Sequence, residues 1–73
     1  MKIFLLEIPQ QGYDTYDSHV IIAKTERTVI TLAQEISADE GSEIWETATI
    51  TELGDYKGHK DAPFIACSSF NAG

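Results

Sequence analysis

Helical spacing of apolar residues occurs in one stretch of this chain, and this limits the folds that the chain can adopt. The four residues that share one helical face are Val29, Leu32, Ala33 and Ile36. Thr25 is a suitable N-cap before this stretch, and Gly41 is a natural stop after it. We therefore predict one helix over residues 26–38.

Elsewhere the apolar residues alternate with a period of two, which is typical of strands. The predicted strands span residues 2–8, 19–24, 44–53 and 63–70. With the helix between the second and third strands, the order of elements is β-β-α-β-β. This order predicts an α+β fold in which one helix packs on one face of a four-stranded antiparallel sheet. The length suits a single domain, residues 1–73.

The first predicted strand is apolar on both of its faces. Phe4, Leu6 and Ile8 alternate with Ile3 and Leu5. Because one helix covers one face of the sheet, a loop, the C-terminal tail or a second subunit must cover the other face. We favour the second subunit and predict a homodimer.

The net charge of −7 is concentrated in one stretch of the chain. Residues 35–55 contain no Lys or Arg, and their acidic residues are Glu35, Asp39, Glu40, Glu43, Glu46, Glu52 and Asp55. Such a stretch repels nucleic-acid backbones and attracts basic protein surfaces. We interpret Asp39, Glu40, Glu43 and Glu46 as candidate partner-binding residues, with solvation of a small acidic protein as the alternative. Reversal of the first three to Lys is expected to abolish binding without unfolding the chain.

A second candidate surface is the loop predicted at residues 10–18, in which Gly12 permits a turn. Its candidate partner-binding residues are Tyr13, Asp14, Tyr16 and Asp17. Two exposed tyrosines beside aspartates have the composition of a recognition surface. The alternative is that the tyrosine rings cover the second face of the sheet. We expect Tyr13 to lie close to Phe70.

Two residues near these surfaces have a structural interpretation. We interpret Trp45, beside the acidic stretch, as a core residue, with an interface anchor as the alternative. Cys67 lies within the fourth predicted strand and is expected to be a small buried hydrophobe.

The chain has one cysteine and therefore no internal disulfide, which indicates a reducing compartment. Its first residues lack the cleavage site and apolar run of a signal peptide, and no run approaches the ~20 apolar residues of a membrane span. We predict a soluble, cytoplasmic protein that does not contact a membrane.

No catalytic, cofactor or metal site is predicted. Asp14, Asp17 and His19 have a generic spacing, which turn-forming aspartates explain without a metal. His59 and Asp61 form an equally weak pair. Two histidines and one cysteine provide no argument for a Ser-His-Asp or Cys-His set, and no phosphate-binding glycine loop is present. We predict a protein that is not an enzyme.

Two blocks of sequence are specific as strings. The first is Gly-Tyr-Asp-Thr-Tyr-Asp-Ser at 12–18, followed by Val-Ile-Ile-Ala, and the second is Ser-Phe-Asn-Ala-Gly at 69–73. Together they resemble a group of short hypothetical bacteriophage proteins. Those proteins have a Tyr-Asp-Thr-Tyr-Asp-Ser loop near the start, then a strand and a helix, and the second block at the end. The resemblance implies a phage origin and no enzymatic activity, and it includes no motif from residues 25–61.

Phage resemblance, concentrated acidity and the lack of a catalytic set together predict a small interaction protein. We expect it to inhibit a host defence or nucleic-acid-handling complex by occluding a basic surface, in the manner of an anti-CRISPR protein. One alternative is a small-ligand binder, such as a protein that sequesters a nucleotide signal, which would use the tyrosine loop and the C-terminal tail across a dimer. The net charge of −7 disfavours an anionic ligand unless Lys24, Lys57 or Lys60 lines the pocket. Another is an accessory phage protein without inhibitory activity.

Overall fold

The computed structural model describes residues 1–9 and 13–71. Its elements in chain order are β1 (Lys2–Glu7), β2 (Thr15–Ala23), α1 (Glu26–Glu35), a short 3₁₀ helix (Glu43–Thr47), β3 (Thr49–Asp55) and β4 (Phe64–Asn71). The strands form one antiparallel sheet in the order β3-β1-β2-β4. The predicted α+β fold is therefore confirmed. The predicted turn at Gly12 and the end of the second resemblance block, residues 72–73, lie outside the described residues.

The core lies between α1 and one face of the sheet. On that face Phe4 pairs with Ile21, and Leu6 pairs with His19. The buried apolar cluster comprises Phe4, Leu6, Ile8, Ile21, Ala23, Val29, Ala33 and Trp45. The helix contributes its predicted stripe through Val29 and Ala33, so the helical periodicity located the correct face. Within residues 1–9 and 13–71, no helix has the length and hydropathy of a membrane span.

The start of α1 is as predicted, but its end is not. The hydroxyl of Thr25 accepts a hydrogen bond from the backbone N–H of Thr28 at 3.3 Å, which confirms the N-cap. The prediction that the helix reaches residue 38 is wrong, because the last turn tightens. The N–H of Ile36 bonds the carbonyl of Ala33, and the hydroxyl of Ser37 bonds the same carbonyl at 3.1 Å.

Gly41 ends a separate turn after the helix. Its φ of +81° lies in the left-handed region, and its N–H bonds the carbonyl of Ala38 at 3.1 Å. Because the helix ends early, residues 36–40 lie outside it, and Glu40 contacts the start of β2.

The predicted strand at 44–53 is wrong in its first half. Residues Glu43–Thr47 form the 3₁₀ helix, and β3 begins at Thr49. The short helix turns Trp45 inward to a fully buried position, which confirms that Trp45 is a core residue. Burial of this large ring outweighs the β-branched pattern of the surrounding threonines, because tertiary packing overrides propensity.

β2 begins at Thr15, four residues before its predicted start, so the second half of the predicted loop is strand. Strands β1 and β4 agree with their predicted ranges to within one residue at each end.

The last strand departs from regular alternation. Val20 pairs with Cys67, but the next residue, Ile21, pairs with Ile65, so Ala66 is bulged. Ile65 therefore packs against the core, and Cys67 lies on the opposite face and is exposed. The prediction of a buried Cys67 is wrong, because β4 is at the edge of the sheet.

The face of the sheet opposite α1, here called the open face, is apolar in its centre. Its central residues, paired across β1 and β2, are Ile3, Ile22, Leu5 and Val20. The ring of Tyr56 contacts that of Phe64 at 5.5 Å, and Phe64 pairs with the buried Ile22. The loop after β3 thus covers one end of the open face, while Leu5 and Val20 are half-buried.

Candidate functional site

Glu40 connects the segment after α1 to the start of β2. One carboxylate oxygen accepts from the backbone N–H of Tyr16 at 3.0 Å. The other accepts from the indole N–H of Trp45 and from the backbone N–H of Ala38, both at 3.2 Å. Both oxygens are therefore in use, and such charge-assisted bonds are among the stronger ones in proteins. Glu40 therefore connects β2, the segment after α1 and the 3₁₀ helix through its side chain.

A backbone hydrogen bond reinforces this connection. The N–H of Asp39 donates to the carbonyl of Asp14 at 3.1 Å. The two candidate surfaces predicted from the sequence, the tyrosine loop and the acidic stretch, are far apart in the chain. The contacts of Asp39 and Glu40 place these two residues of the acidic stretch beside residues 14–16 of the tyrosine loop.

A bulge in β2 shapes the inner side of this end. Tyr16 pairs with Phe70 and Ser18 pairs with Ser69, so Asp17 has no partner on β4. In a regular strand Tyr16 and His19 would face opposite sides of the sheet. The bulge brings them to the same side, where their rings lie 5.0 Å apart.

Ring contacts extend from the buried Trp45 and His19 through the half-buried Tyr16 to Phe70, which is exposed. Tyr16 contacts Phe70 edge-on at 4.7 Å, and His19 contacts Trp45 at 4.8 Å. Among the described rings, the tyrosine in contact with Phe70 is thus Tyr16, whereas Tyr13 is 74% exposed. We call Tyr16, His19, Glu40, Trp45 and Ser68 the inner cluster.

His19 is the polar centre of the inner cluster. Its Nδ1 lies 2.6 Å from the hydroxyl of Ser68, while its Nε2 is buried and has no hydrogen-bond partner in the part of the chain described. Burial lowers the pKa of His19, and the carboxylates of Glu40 and Asp17 oppose that shift. In the described ranges, no carboxylate bonds the other ring nitrogen of His19, as the acid of a catalytic triad would.

Exposed acidic side chains and one exposed ring belong to the two segments that these contacts join, and we call this set the acidic rim. Its members are Tyr13, Asp14, Asp39 and Glu43, all of them exposed. Within residues 1–9 and 13–71, the side chains of Asp39 and Glu43 form no ion pair or hydrogen bond. Asp14 has a φ of 56°, a conformation that Asp tolerates better than most residues. The rim is therefore a displayed set of charges beside an exposed ring.

The remaining predicted site residues have other contacts. Glu46 accepts two bonds from the guanidinium of Arg27, at 3.0 and 3.1 Å, and one from Gln34 at 3.2 Å. Asp17 is half-buried, and its nearest side-chain partner is the hydroxyl of Ser18 at 3.4 Å. Arg27, Gln34 and Ser68 were not predicted as site residues. For Arg27 the signal in the sequence is an acid–base pair between α1 and the 3₁₀ helix, and the contacts of Gln34 and Ser68 have no comparable signal.

Two further features bear on ligand binding. No group of three or more His, Cys, Asp or Glu residues is placed to hold a metal ion in the described ranges. A cavity of about 330 Å³ lies near the start of α1 and is lined by Met1, Lys24, Thr28, Ala62 and Pro63.

No protein family, curated protein or solved structure matches this chain.

Proposed function

We propose that this protein binds a basic surface of a host protein or nucleoprotein complex through the acidic rim and occludes that surface. The observation that carries the proposal is the pair of contacts made by consecutive residues. Asp39 bonds the backbone of Asp14, and Glu40 bonds the backbone of Tyr16. These bonds bring the backbone of Asp39 beside that of Asp14, whose neighbour Tyr13 is exposed, and they support a single surface formed by the two segments.

The rim suits a groove lined by Lys and Arg. A backbone bond fixes the segments that carry Asp14 and Asp39, so little backbone freedom is lost on binding, and opposite charge speeds association with a basic groove. Tyr13 supplies the large exposed ring that interfaces use as an anchor. The same negative charge repels nucleic acid, so we expect no direct nucleic-acid binding.

The resemblance to phage proteins indicates which basic complexes to consider. The first block contributes Tyr13 and Asp14 to the rim, and the second contributes Phe70, which pairs with Tyr16. We propose a phage-encoded inhibitor of a host defence or nucleic-acid-handling complex, with an anti-CRISPR protein as the concrete form. It would act in the host cytoplasm without enzymatic activity and without a cofactor.

We also propose that the protein is a homodimer. The half-buried Leu5 and Val20 at the centre of the open face support this, because α1 packs on the other face of the sheet. A second copy is the simplest cover for this part of the sheet.

The test uses purified RNA-guided nuclease complexes and a labelled duplex DNA that carries their target. We expect the protein to prevent DNA binding by a sensitive complex at near-equimolar ratio. The double variant Asp39→Lys/Glu43→Lys should lose this inhibition and keep its thermal midpoint. Asp55→Lys/Asp61→Lys is the matched control, since it changes the net charge equally at exposed positions away from the rim.

Two outcomes would contradict the proposal. If the rim variant inhibits as strongly as the wild type, the rim is not the binding surface. If no complex in a panel of defence and nucleic-acid-handling complexes is inhibited, the occlusion mechanism is wrong.

A second candidate function, binding of a small anionic ligand, is favoured by the cavity beside α1. Lys24 lines it together with Thr28, close to the helix N-terminus that begins after Thr25. Calorimetric titration with a cyclic dinucleotide tests this, and Lys24→Gln should abolish any heat of binding while Lys57→Gln should not. An absence of binding in both assays would leave the accessory phage protein as the remaining interpretation.

A further inference from the structure

The open face of the sheet has two halves that differ in height. In the first half Ile22 is only 3% exposed, although alternation places it on the face away from α1. Its strand partner Phe64 contacts the ring of Tyr56, and the hydroxyl of Tyr56 accepts a hydrogen bond from the backbone N–H of Lys60 at 3.2 Å. The loop at residues 56–63 thus folds over these rings and raises this half of the face.

The second half of the open face is flat. Its row of cross-strand partners carries small hydroxyl side chains on three of the four strands, and it comprises Thr49, Glu7, Ser18 and Ser69. The central row lies between the two halves and comprises Thr51, Leu5, Val20 and Cys67. Both ends of the central row are exposed, and its two middle residues are half-buried.

The two halves also differ in charge. The ammonium of Lys60 lies 4.6 Å from the ring centre of Phe64, so the raised half carries a cation. The loop as a whole has more bases than acids, Lys57 and Lys60 against Asp61. In the flat half Glu7 is exposed, and the carboxylate of Asp17 lies 3.4 Å from the hydroxyl of Ser18. The raised half is therefore basic and the flat half is acidic.

We infer that two copies of this chain pack open face to open face about a two-fold axis that runs across the strands, along the central row. The raised half of each copy then lies on the flat half of the other, and each basic loop lies over the end that carries Glu7. The inference rests on the homodimer proposed above, and it adds the direction of the axis and the halves that meet.

Complementarity between the two halves selects a second copy as the occupant of the open face. A two-fold interface brings a surface against itself, so it requires a patch that is self-complementary. A raised, basic half and a flat, acidic half meet this requirement in both shape and charge. In the central row and the flat row as described, Glu7 is the only charged residue, so little charge is buried between two chains of net charge −7.

The loop at residues 56–63 opposes the other possible axis, which is parallel to the strands. That axis would set the raised half of one copy against the raised half of the other. The two basic loops would then meet and hold the central rows apart, so Leu5 and Val20 would stay uncovered. With the axis across the strands, the central rows can approach to the separation of about 10 Å that packed sheets adopt.

The ends of the central row test the direction of the axis. Cys67 is the end on β4, and Thr51 is the end on β3. With the axis along this row, each of these residues faces the same residue of the second copy, whereas an axis parallel to the strands would set Cys67 against Thr51. A short bis-maleimide should therefore cross-link the wild type into dimers through Cys67. Thr51→Cys/Cys67→Ser should cross-link as well, and both proteins should stay monomeric in urea.

Three results of the cross-linking would overturn the inference. Dimers from only one of the two proteins would place the contact at that edge of the sheet. Dimers from neither of them, but from Thr51→Cys with Cys67 retained, would show that the axis is parallel to the strands. A lack of cross-linking in all three proteins would show that the central rows do not meet.

A matched pair of variants tests the contact between loop and flat half. Thr49→Arg adds bulk and positive charge to the flat half, where the basic loop of the second copy packs, and should weaken dimerisation at least about tenfold. Thr31→Arg is the control, since Thr31 is exposed on α1, and it should leave the dissociation constant within about twofold of wild type. Light scattering over a dilution series measures both, and thermal midpoints show that the variants are folded.

The outcomes separate the inference from its premise. A wild type that is monomeric at every concentration overturns both the homodimer and the packing of the open faces. Wild-type dimers that Thr49→Arg leaves unchanged, or that both variants weaken equally, overturn the packing alone. Inhibition through the acidic rim is measured separately with the nuclease complexes, so its failure is distinguishable from either result.

Discussion

Glu40 and its neighbours Asp39 and Glu43 belong to the same acidic stretch but differ in what surrounds them. Glu40 receives three hydrogen bonds and belongs to the inner cluster, whereas the side chains of the other two project from the acidic rim. The difference shows that clustered charge in a sequence does not identify which carboxylates are available for binding. The number of hydrogen-bond donors around each carboxylate identifies which ones are available.

The largest effect on stability should come from Trp45, the biggest fully buried side chain of the inner cluster. Trp45→Ala leaves a cavity and removes one donor from Glu40, so we expect a loss of about 3–5 kcal/mol in the free energy of unfolding. Urea denaturation measures it. Leu53→Ala is the control, since Leu53 is 54% exposed and should change stability by less than about 0.5 kcal/mol. A small loss for Trp45→Ala would contradict the existence of the inner cluster.

Glu40 and Asp39 provide the direct comparison of inner and outer carboxylates. Glu40→Ala leaves the indole of Trp45 and the N–H of Tyr16 without their acceptor, and should cost about 2–3 kcal/mol. Asp39→Ala keeps the backbone bond to Asp14 and should cost less than about 0.5 kcal/mol. Equal losses for the two variants in urea denaturation would remove the distinction. The contacts of Glu40 also mean that a triple reversal including it would not leave folding intact.

The inner cluster should make stability depend on pH through His19. Burial lowers the pKa of His19 in the folded state, so below about pH 6.5 the unfolded chain binds more protons than the folded one. The contribution of His19 is therefore complete above that pH and is lost as the pH falls below it. Thermal midpoints from pH 8 to pH 5 measure this loss.

His19→Phe should flatten that part of the pH profile, because the ring packing remains while the titrating group is removed. His59→Gln is the control, since His59 is exposed and the wild-type profile should persist. A wild-type profile that is level between pH 7 and pH 5 would show that His19 does not titrate as its burial indicates.

The acidic rim should have the smallest effect on stability. Asp39→Lys/Glu43→Lys changes two exposed side chains that pair with none of the described ones, so the free energy of unfolding should change by less than about 0.5 kcal/mol. Urea denaturation in parallel with the Glu40→Ala variant checks this. A loss as large as that of Glu40→Ala would place these residues in the inner cluster.

The sequence was informative where local rules decide the structure. The cap at Thr25, the apolar stripe of α1 and the alternation in β1 depend on near neighbours in the chain, and each was predicted. The end of α1, the 3₁₀ helix and the bulge at Ala66 depend on contacts with distant residues. Residues 43–47 form a 3₁₀ helix because Trp45 is buried against distant residues of the inner cluster.

In the candidate site, too, the local features were predicted and the long-range contacts were not. Composition identified the tyrosine loop and the acidic stretch separately, and both contribute to the acidic rim. The bond from Asp39 to Asp14 and the inward turn of Glu40 are long-range contacts. A count of charges along the chain contains no information about either of them.

The central claim is that Glu40 holds the tyrosine loop and the acidic stretch together as one surface. Amide hydrogen exchange followed by NMR tests it at the two N–H groups concerned, those of Tyr16 and Asp39. Both should be protected in the wild type, and in Glu40→Ala both should exchange at least about tenfold faster while amides of β1 keep their protection. If Tyr16 exchanges in the wild type as fast as an exposed loop amide, or if Glu40→Ala leaves both rates unchanged, the two segments are not joined in this way.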